Sequence, residues 1–472
     1  NYKMTENNVN IIRAIVLSIF DEDGPTPKIF WPNDLEETAS FLIATKTLSL
    51  LMGDAIYQDG DSIEGINYFG VLPFPDLNLK ALTYFFLIAD VNARGNAKAA
   101  TITILVKEDD RAFIYENMKY LRVIMDKTAT DIQEAEEEDL NKIIDRFKEE
   151  LLEFCKELKE PFDSKRKIKI VYAGLDQAGK TSFLLAIKKK YSEIIKTLPT
   201  KGVARSEEKI FKEQNSHITV WDLGGQKTYR EKYIEQSKYY LYNIDLLFYF
   251  IDIQDTGRLN DSIELFIKII NSLDELDEYP PIIVCINKFD PDLKNSKKTK
   301  KNYKDITNQI KKHSGKFFIK IFQTSIFDQW SMISAYSFGL SQLSPNRELF
   351  RQILKQFAEN TNAETLLLLN DKGIILSNYS KNKSSSKVFE ISAIHFQSLY
   401  KTFKEFKLLK KNYIISSGIS EDSKNIIFGK VKLDKYDLYL LLFMEEYHSI
   451  EKIEQYLPDF SRTLNEIIST YI

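Results

Sequence analysis

The segment Gly174-Leu175-Asp176-Gln177-Ala178-Gly179-Lys180-Thr181 matches the pattern G-x-x-x-x-G-K-[ST] and constrains the fold more than any other part of the sequence. In this pattern the glycines let backbone N–H groups surround a phosphate, the lysine reaches its oxygens, and the hydroxyl ligates Mg²⁺. Residues 167–173 before it are typical of a strand, and the residues after it are typical of a helix. The pattern predicts a nucleotide-binding α/β domain and leaves ATPases, kinases and GTPases open.

Two later segments narrow these classes. Asp222-Leu223-Gly224-Gly225-Gln226 follows an apolar run, and an acid there suits a group bound to Mg²⁺ through water. Asn287-Lys288-Phe289-Asp290 follows a second apolar run, at the strand end where open α/β sheets place their ligands. A carboxylate at Asp290 can accept two hydrogen bonds from guanine, whereas adenine has no such donor pair. These segments favour a guanine nucleotide.

Together these motifs resemble a small GTPase of the Ras superfamily. Within it, Pro199-Thr200-Lys201-Gly202 and the Asp222 segment look like Arf, whereas residues 322–328 and 230–233 look closer to Rag. The resemblance is therefore Rag/Arf-like over residues 164 to about 343. It implies a mostly parallel sheet with helices on both faces.

The resemblance also assigns roles at the site. It gives catalysis to Gln226, Lys180 and Thr200, and binding of Mg²⁺ to Thr181, Thr200 and Asp222. Thr200 would join Mg²⁺ only when the γ-phosphate is present, and Gln226 would orient the attacking water. The nucleotide GTP or GDP would be contacted by Gly174, Leu175, Asp176, Gln177, Ala178, Gly179, Lys180, Thr181, Ser182, Thr200, Asp222, Gly225, Asn287, Lys288, Asp290, Ser325 and Ile326.

An arginine supplied by the chain itself would speed hydrolysis. Heterotrimeric G-protein α-subunits place one two residues before the switch threonine, where this sequence has Leu198. Arg205 is the alternative, although a solvated loop arginine is the more frequent case. We therefore expect slow intrinsic hydrolysis that an activating partner accelerates.

The flanking regions show patterns rather than motifs. Residues 1–126 have the order β-β-α-β-β-β-α and resemble a longin domain. Residues 127–163 read as an amphipathic helical linker, since apolar residues recur at helical spacing between charged ones from about 131 to 159. A spacer helix packed on its neighbours is favoured, with a partner-binding coiled coil as the alternative. After a G domain at 164–344, residues 345–472 have the order α-β-β-α-β-β-β-α and resemble a roadblock domain. The predicted fold is thus an α/β P-loop GTPase flanked by two smaller α/β modules.

Three local expectations accompany this organisation. Residues 209–211 read as a strand after the Thr200 loop. The lysine-rich stretch 294–304 reads as a solvated loop, with an anionic-lipid or acidic-partner contact as the alternative. Residues 379–387 read as a serine- and lysine-rich loop.

The composition constrains the function of the chain less than the motifs do. The net charge of −3 gives no basic field for nucleic acid, and two cysteines among 472 residues favour a reducing compartment. No apolar run is long enough to span a membrane. We expect a cytoplasmic protein that is peripheral at a membrane through partners. We expect the flanking modules to pair within the chain or in a homo- or heterodimer. Activating and exchange factors are the other expected partners. A GTP-bound scaffold that does not cycle is the alternative function, and an ATP-dependent P-loop enzyme is disfavoured by Asp290.

Overall fold

The computed structural model describes residues 11–52, 67–91, 93, 96–157, 166–211, 216–409, 411–417, 424–445 and 449–471. The strands are β1 (Ile12–Asp21), β2 (Gly24–Trp31), β3 (Tyr68–Phe74), β4 (Leu79–Ala89), β5 (Ala97–Lys107), β6 (Arg166–Gly174), β7 (Val203–Glu208), β8 (Ser216–Leu223), β9 (Leu246–Asp252), β10 (Ile282–Asn287), β11 (Ile319–Gln323), β12 (Ala363–Asn370), β13 (Ile375–Ser380), β14 (Tyr413–Ser416), β15 (Lys424–Lys432) and β16 (Asp437–Glu445). The helices are α1 (Glu37–Met52), α2 (Ala112–Glu116), α3 (Met118–Gln133), α4 (Leu140–Glu157), α5 (Lys180–Ile187), α6 (Tyr191–Ile194), α7 (Lys227–Glu235), α8 (Ser237–Tyr240), α9 (Leu259–Glu275), α10 (Lys297–Lys312), α11 (Gln329–Leu343), α12 (Arg347–Thr361), α13 (Lys383–Glu405) and α14 (Ser449–Ile467).

The chain divides into two compact units, and each combines segments that are far apart in sequence. The first unit contains Asn1–Arg166, Ser344–Ala363 and Glu445–Ile472, and the second contains Lys167–Leu343 and Glu364–Met444. The expected domain boundaries at 126/127, 163/164 and 344/345 stay a prediction, and the pair 163/164 lies outside the described residues.

The first unit is built on a five-stranded antiparallel sheet in the order β2-β1-β5-β4-β3. Long apolar stretches in β1, β4 and β5 are buried on both faces. Helices α3 and α4 join the core on one face, and α1 contacts the other through Thr47 Oγ1, which lies 3.2 Å from Thr101 Oγ1.

The expected linker helix is part of this core. It is broken, because α3 ends at Gln133 and α4 begins at Leu140 after a short 3₁₀ turn at 137–139. Its apolar stripe is buried against the sheet through Leu140, Ile143, Ile144, Phe147, Leu151 and Cys155. The expected packing of this helix on its neighbours is confirmed for the apolar stripe, whereas one continuous helix from about 131 to 159 is wrong, because Glu136 has an extended backbone and a 3₁₀ turn follows it.

Asn346, just before α12, covers the edge strand β3. Its fully buried amide accepts from Val71 N–H and donates to Val71 O at 2.7 Å and to Thr470 Oγ1 at 2.6 Å. The side chain thus replaces part of a neighbouring strand at an edge that would otherwise be unpaired.

The second unit contains a six-stranded sheet in the order β11-β10-β9-β6-β8-β7. The pairs β10–β11, β9–β10 and β6–β9 are parallel, and β7–β8 is antiparallel. The sheet is thus mixed, as expected for a mostly parallel α/β domain. Strand order reverses beside β6, and ligands of open α/β sheets bind at such a point.

A second five-stranded sheet has the order β13-β12-β16-β15-β14, and α13 packs on it through Phe389, Ala393 and Tyr400. Counted along each module, its strand order 2-1-5-4-3 is the same as that of the first unit's sheet. The shared order shows that one sheet plan occurs twice in the chain.

The three local expectations are corrected. β7 ends at Glu208, so residues 209–211 are not a strand, because the carbonyls of Lys209 and Ile210 accept from Lys372 Nζ and Asn370 Nδ2 instead of from a strand.

The remaining two stretches are largely helical. Most of 294–304 begins α10, which buries Ile306 and Ile310. The stretch 379–387 is shared between the end of β13 and the start of α13.

Candidate functional site

The phosphate loop joins β6 to α5 at the reversal of strand order. Gly174 has φ +141°, and an added Cβ there would lie 2.4 Å from Phe250 O. Gly179 has φ +87°, and its added Cβ would lie 2.3 Å from Asn287 Nδ2. Both positions need glycine, because the loop has a left-handed backbone and touches its neighbours closely.

Lys180 is buried and points back along the loop. Its Nζ donates to Gly174 O at 3.0 Å and to Leu175 O at 2.8 Å. Burial lowers the pKa of Lys180 to about 8, and the nearby charge of Asp222 opposes that shift. The loop therefore holds a desolvated cation, which interacts strongly with an anion placed beside it.

Two hydroxyls and a carboxylate meet next to the loop. Thr181 Oγ1 donates to Asp222 Oδ2, and Thr200 Oγ1 lies 3.1 Å from Thr181 Oγ1 and 3.4 Å from Asp222 Oδ2. Burial raises the pKa of Asp222, against hydrogen bonding from Thr181 and the charge of Lys180. Thr200 reaches this cluster from the long loop between α6 and β7.

The cluster fits a divalent cation with oxygen ligands. Asp222 Oδ1 is buried and has no hydrogen-bond partner in the described part of the chain, so one hard oxygen is left to coordinate a ligand. Hydroxyl and carboxylate oxygens are the donors that Mg²⁺ prefers. Among the described residues no group of three His, Cys, Asp or Glu side chains could hold a metal, so this cluster depends on the threonines.

Of the two glycines after Asp222, Gly225 packs on the phosphate loop and Gly224 packs on the loop that carries Thr200. Gly225 O accepts from Asp176 N–H at 3.0 Å, and Gly224 N–H donates to Gly202 O at 2.8 Å. Gln226 is half-buried and immediately precedes α7. The loop carrying Thr200 and the loop carrying Gly225 are therefore both tied to the phosphate loop.

The residues expected to recognise the base lie at the ends of β10 and β11. Asn287 Nδ2 donates to Ala178 O at 2.8 Å, and Thr324 Oγ1 donates to Asn287 Oδ1 at 3.0 Å. Ser325 Oγ donates to Asp290 Oδ1 at 2.5 Å. These bonds connect the segment 287–290 to the phosphate loop on one side and to 324–326 on the other.

The structure thus brings the expected site residues to one edge of the sheet, while their individual roles stay predictions. Ser182 lies in the first turn of α5 and is half-buried, Ile326 is half-buried next to Ser325, and Gln177 is exposed with φ +60°.

Arg205 does not point to the phosphate loop. Its guanidinium lies 4.0 Å from the centroid of the Trp221 ring, and its Nη2 donates to Tyr239 OH at 2.9 Å. Lys169 Nζ also lies 4.2 Å from the Trp221 centroid. This contact, absent from the sequence-based interpretation, makes Trp221 the centre of a cation–π cluster.

Two further residues were missed by sequence reasoning. Arg258 Nη1 donates to Asp176 Oδ1 at 2.8 Å, which neutralises an acid on the phosphate loop. Gln254 Nε2 donates to Asp290 Oδ2 at 2.8 Å. Both residues follow β9, whose carboxyl end lies beside that of β10. Their place directly after this strand is the feature that could have indicated them.

Comparisons with known proteins agree with this geometry. Residues 169–404, half of the chain, match the family described as the Gtr1/RagA G protein conserved region. Residues 77–238 match the Folliculin family, described as a vesicle coat protein involved in Golgi to plasma membrane transport.

Individual relatives are more distant. The GTP-binding protein GTR1 of Saccharomyces cerevisiae is 26% identical over 287 residues, covering 56% of this chain and 91% of that protein. A solved structure of the Arl6 (BBS3) small GTPase from Trypanosoma brucei, with a bound nucleotide analogue, is 20% identical and covers 38% of this chain and 97% of that one, at a TM-score of 0.30.

The described residues include no helix with the length and apolar character needed to cross a membrane. The scaffold alternative is not favoured by the family match, and the chain is a GTP-binding switch that hydrolyses GTP. It belongs to the Gtr1/RagA family of G proteins.

Proposed function

We propose that this chain is a magnesium-dependent GTPase switch in which Thr200 and Gly225 both respond to the γ-phosphate of GTP. The observation that carries the proposal is the meeting of Thr181, Thr200 and Asp222 beside the phosphate loop. Thr200 is brought there from a separate loop, so its position depends on what occupies the cluster. Loss of the γ-phosphate would release both loops, which is how a binding site becomes a switch.

In this proposal the phosphates are bound by backbone N–H groups from Asp176 to Thr181, and Lys180 contributes positive charge to the β and γ oxygens. Thr181, Thr200 and Asp222 would hold Mg²⁺, which neutralises phosphate charge when bound. Gln226 would orient the water that attacks the γ-phosphate. Each side chain acts by position and charge, so little covalent chemistry is required of the protein.

Guanine would be selected by the segment 287–290 together with 325–326. Asp290 would accept from the base, Lys288 would cover one face of the ring, and the backbone at Ser325 and Ile326 would approach the guanine oxygen. The hydrogen bond from Asn287 to Ala178 O supports this arrangement, because it links the base segment to the phosphate loop.

Intrinsic hydrolysis should be slow, about 10⁻⁴ to 10⁻² s⁻¹. Leu198 occupies the position of a built-in arginine and is exposed, and Arg205 is held by Trp221 and Tyr239. An activating partner would therefore have to supply the missing positive charge.

The two five-stranded sheets would be a longin-like module at 1–126 and a roadblock-like module at 345–472. The two sheets share the strand order 2-1-5-4-3, which supports the same mode of module pairing for both. They would pair within the chain or in a homo- or heterodimer, and bring the protein to a membrane through partners. The Folliculin match, with its vesicle-coat description, supports the membrane part of this proposal. A monomer in light scattering, with the two modules apart in solution, would oppose it.

The central test is single-turnover GTP hydrolysis by Thr200→Ala and Gln226→Leu. Each should slow hydrolysis by about 10-fold or more, because each removes a group that positions charge or water in the transition state. Thr197→Ala is the matched control, since its hydroxyl donates to Glu193 O on the same segment. Wild-type rates in both site variants would remove the proposed roles.

Base recognition is tested separately with Asp290→Asn. This variant should lose affinity for GTP and gain affinity for xanthosine triphosphate, whose base offers an acceptor where guanine has an amine. GTP binding at the wild-type level would contradict the role of Asp290.

A further inference from the structure

Gln254, on the chain that leaves β9, makes three hydrogen bonds, two of which reach the segment 287–290. Gln254 Nε2 donates to Lys288 O and to Asp290 Oδ2, each at 2.8 Å. Its own backbone N–H donates to Asp252 Oδ1 at 2.9 Å. One exposed glutamine is thereby fixed at its backbone and connected to two of the residues that would contact the base.

The register of the sheet explains why Gln254 reaches this place. β9 and β10 are parallel and Asp252 lies opposite Asn287, so the residues after each strand run side by side. Asp252 Oδ2 also pairs with Lys288 Nζ at 2.7 Å. The segment 252–254 therefore contacts the backbone of Lys288, its ammonium group and the Asp290 carboxylate.

Asp290 is consequently held from two sides. Ser325 Oγ donates to Oδ1 and Gln254 Nε2 donates to Oδ2, so the carboxylate has one donor on each oxygen. Two such bonds fix the rotation of the group, while a carboxylate oxygen can accept more than one hydrogen bond. Both oxygens can then still accept from a base in a single defined orientation.

This orientation matters most for a base with two donors. Guanine presents a ring N–H and an amine to the carboxylate, and both bonds form well at one orientation of the group. Hypoxanthine lacks the amine, so its single bond tolerates a rotated carboxylate. A side chain that fixes this rotation therefore lowers the ordering cost for guanine more than for hypoxanthine.

We propose that Gln254 is a positioning residue for guanine recognition, which fixes the Asp290 carboxylate and thereby sets the preference for guanine over hypoxanthine nucleotides. The proposal rests on the proposed base recognition by Asp290 and extends it to a residue outside the base-recognition segment. Ser325 donates to one carboxylate oxygen of Asp290, and Gln254 donates to the other.

The experiment measures affinities of GDP, IDP and ADP for the full chain by calorimetry, with Gln254→Ala and Gln254→Glu as variants. Gln254→Ala should weaken GDP binding by about 5- to 10-fold, the effect of losing one such hydrogen bond, and IDP binding by less. Gln254→Glu should weaken GDP binding further, because its carboxylate would face Asp290. The ratio of GDP to IDP affinity should fall in both variants.

Gln309→Glu is the matched control, because it makes the same charge change at an exposed position on α10. It should leave the GDP to IDP ratio at the wild-type value. The unfolding midpoint of each nucleotide-free variant checks that the fold is kept.

An unchanged GDP to IDP ratio in both Gln254 variants overturns the proposal, whether neither affinity changes or both fall by the same factor. An equal fall of both affinities would indicate a purely structural role. Failure of the proposed function looks different, because wild-type protein would then bind ADP as well as GDP.

Discussion

Gly225→Ala tests how closely the loops that carry Thr200 and Gly225 are tied to the phosphate loop. An added Cβ would lie 2.1 Å from Asp176 N, 2.2 Å from Leu175 C and 2.4 Å from Leu175 O, whereas ordinary contact begins at 3.4 Å. These are backbone atoms, so no side-chain rotation relieves the overlap. The two segments must separate by more than about 1 Å.

That separation breaks the hydrogen bond from Asp176 N–H to Gly225 O, which is 3.0 Å long. Leaving such an amide unpaired costs about 1–3 kcal/mol. The closed arrangement should therefore become less favourable by about 5- to 150-fold. The variant should bind GDP, yet fail to bring Gly225 to the γ-phosphate when GTP is bound.

Trp221 fluorescence reports this difference, in a protein whose other two tryptophans, Trp31 and Trp330, are replaced by phenylalanine. We expect the emission of Gly225→Ala to be nearly the same with GDP and with a non-hydrolysable GTP analogue, and single-turnover hydrolysis to slow. Gly257→Ala is the matched control, since an added Cβ there meets nothing within 4 Å. A full nucleotide-dependent change in Gly225→Ala, with hydrolysis at the wild-type rate, would refute the reasoning.

Three further predictions concern stability, pH and metal. Asn346→Leu should destabilise the chain by about 2–6 kcal/mol in chemical denaturation, because it leaves the buried N–H and C=O groups of Val71 unpaired. Asn308→Leu is the exposed control, and an equal loss of stability in both variants would contradict the role of the Asn346 amide. Burial lowers the pKa of Lys169 to about 8 from an ordinary value of 10.5. Between these two pH values the unfolded chain binds more protons than the folded chain, so this residue makes stability rise with pH. Trp221 emission should titrate near pH 8 and lose that step in Lys169→Met, whereas a step that persists in the variant would assign the titration to another group. Chelation of Mg²⁺ should accelerate release of bound GDP, measured with a fluorescent analogue, and an unchanged rate would argue against a cation held by the threonine cluster.

The nucleotide motifs could be read from sequence because each is short and contiguous. The residues from Gly174 to Thr181 need only a strand before them and a helix after them to surround a phosphate. The segment from Asn287 to Asp290 likewise follows a run of buried residues in β10. Local backbone geometry and strand placement therefore determine these parts of the site.

The order of elements in the flanking modules could be predicted from the sequence, whereas two stretches within the G domain were predicted wrongly. Residues 209–211 were expected to be a strand, yet their carbonyls bond to Asn370 and Lys372, which are far away in the sequence. The lysines at 297–304 were expected in a loop, yet Ile306 and Ile310 give this segment a buried helical face. In both cases packing partners decided the local structure.

The sequence by itself determined that this chain binds a nucleotide on a P-loop and favours guanine, because those properties depend on neighbouring residues along the backbone. Tertiary structure alone decided that Gln254 would contact Asp290, that Arg258 would pair with Asp176, and that Arg205 would lie on Trp221. These contacts arise from the register of adjacent strands and from loops that return to the same edge of the sheet. Contacts of this kind have no fixed spacing in the sequence, so no sequence motif predicts them.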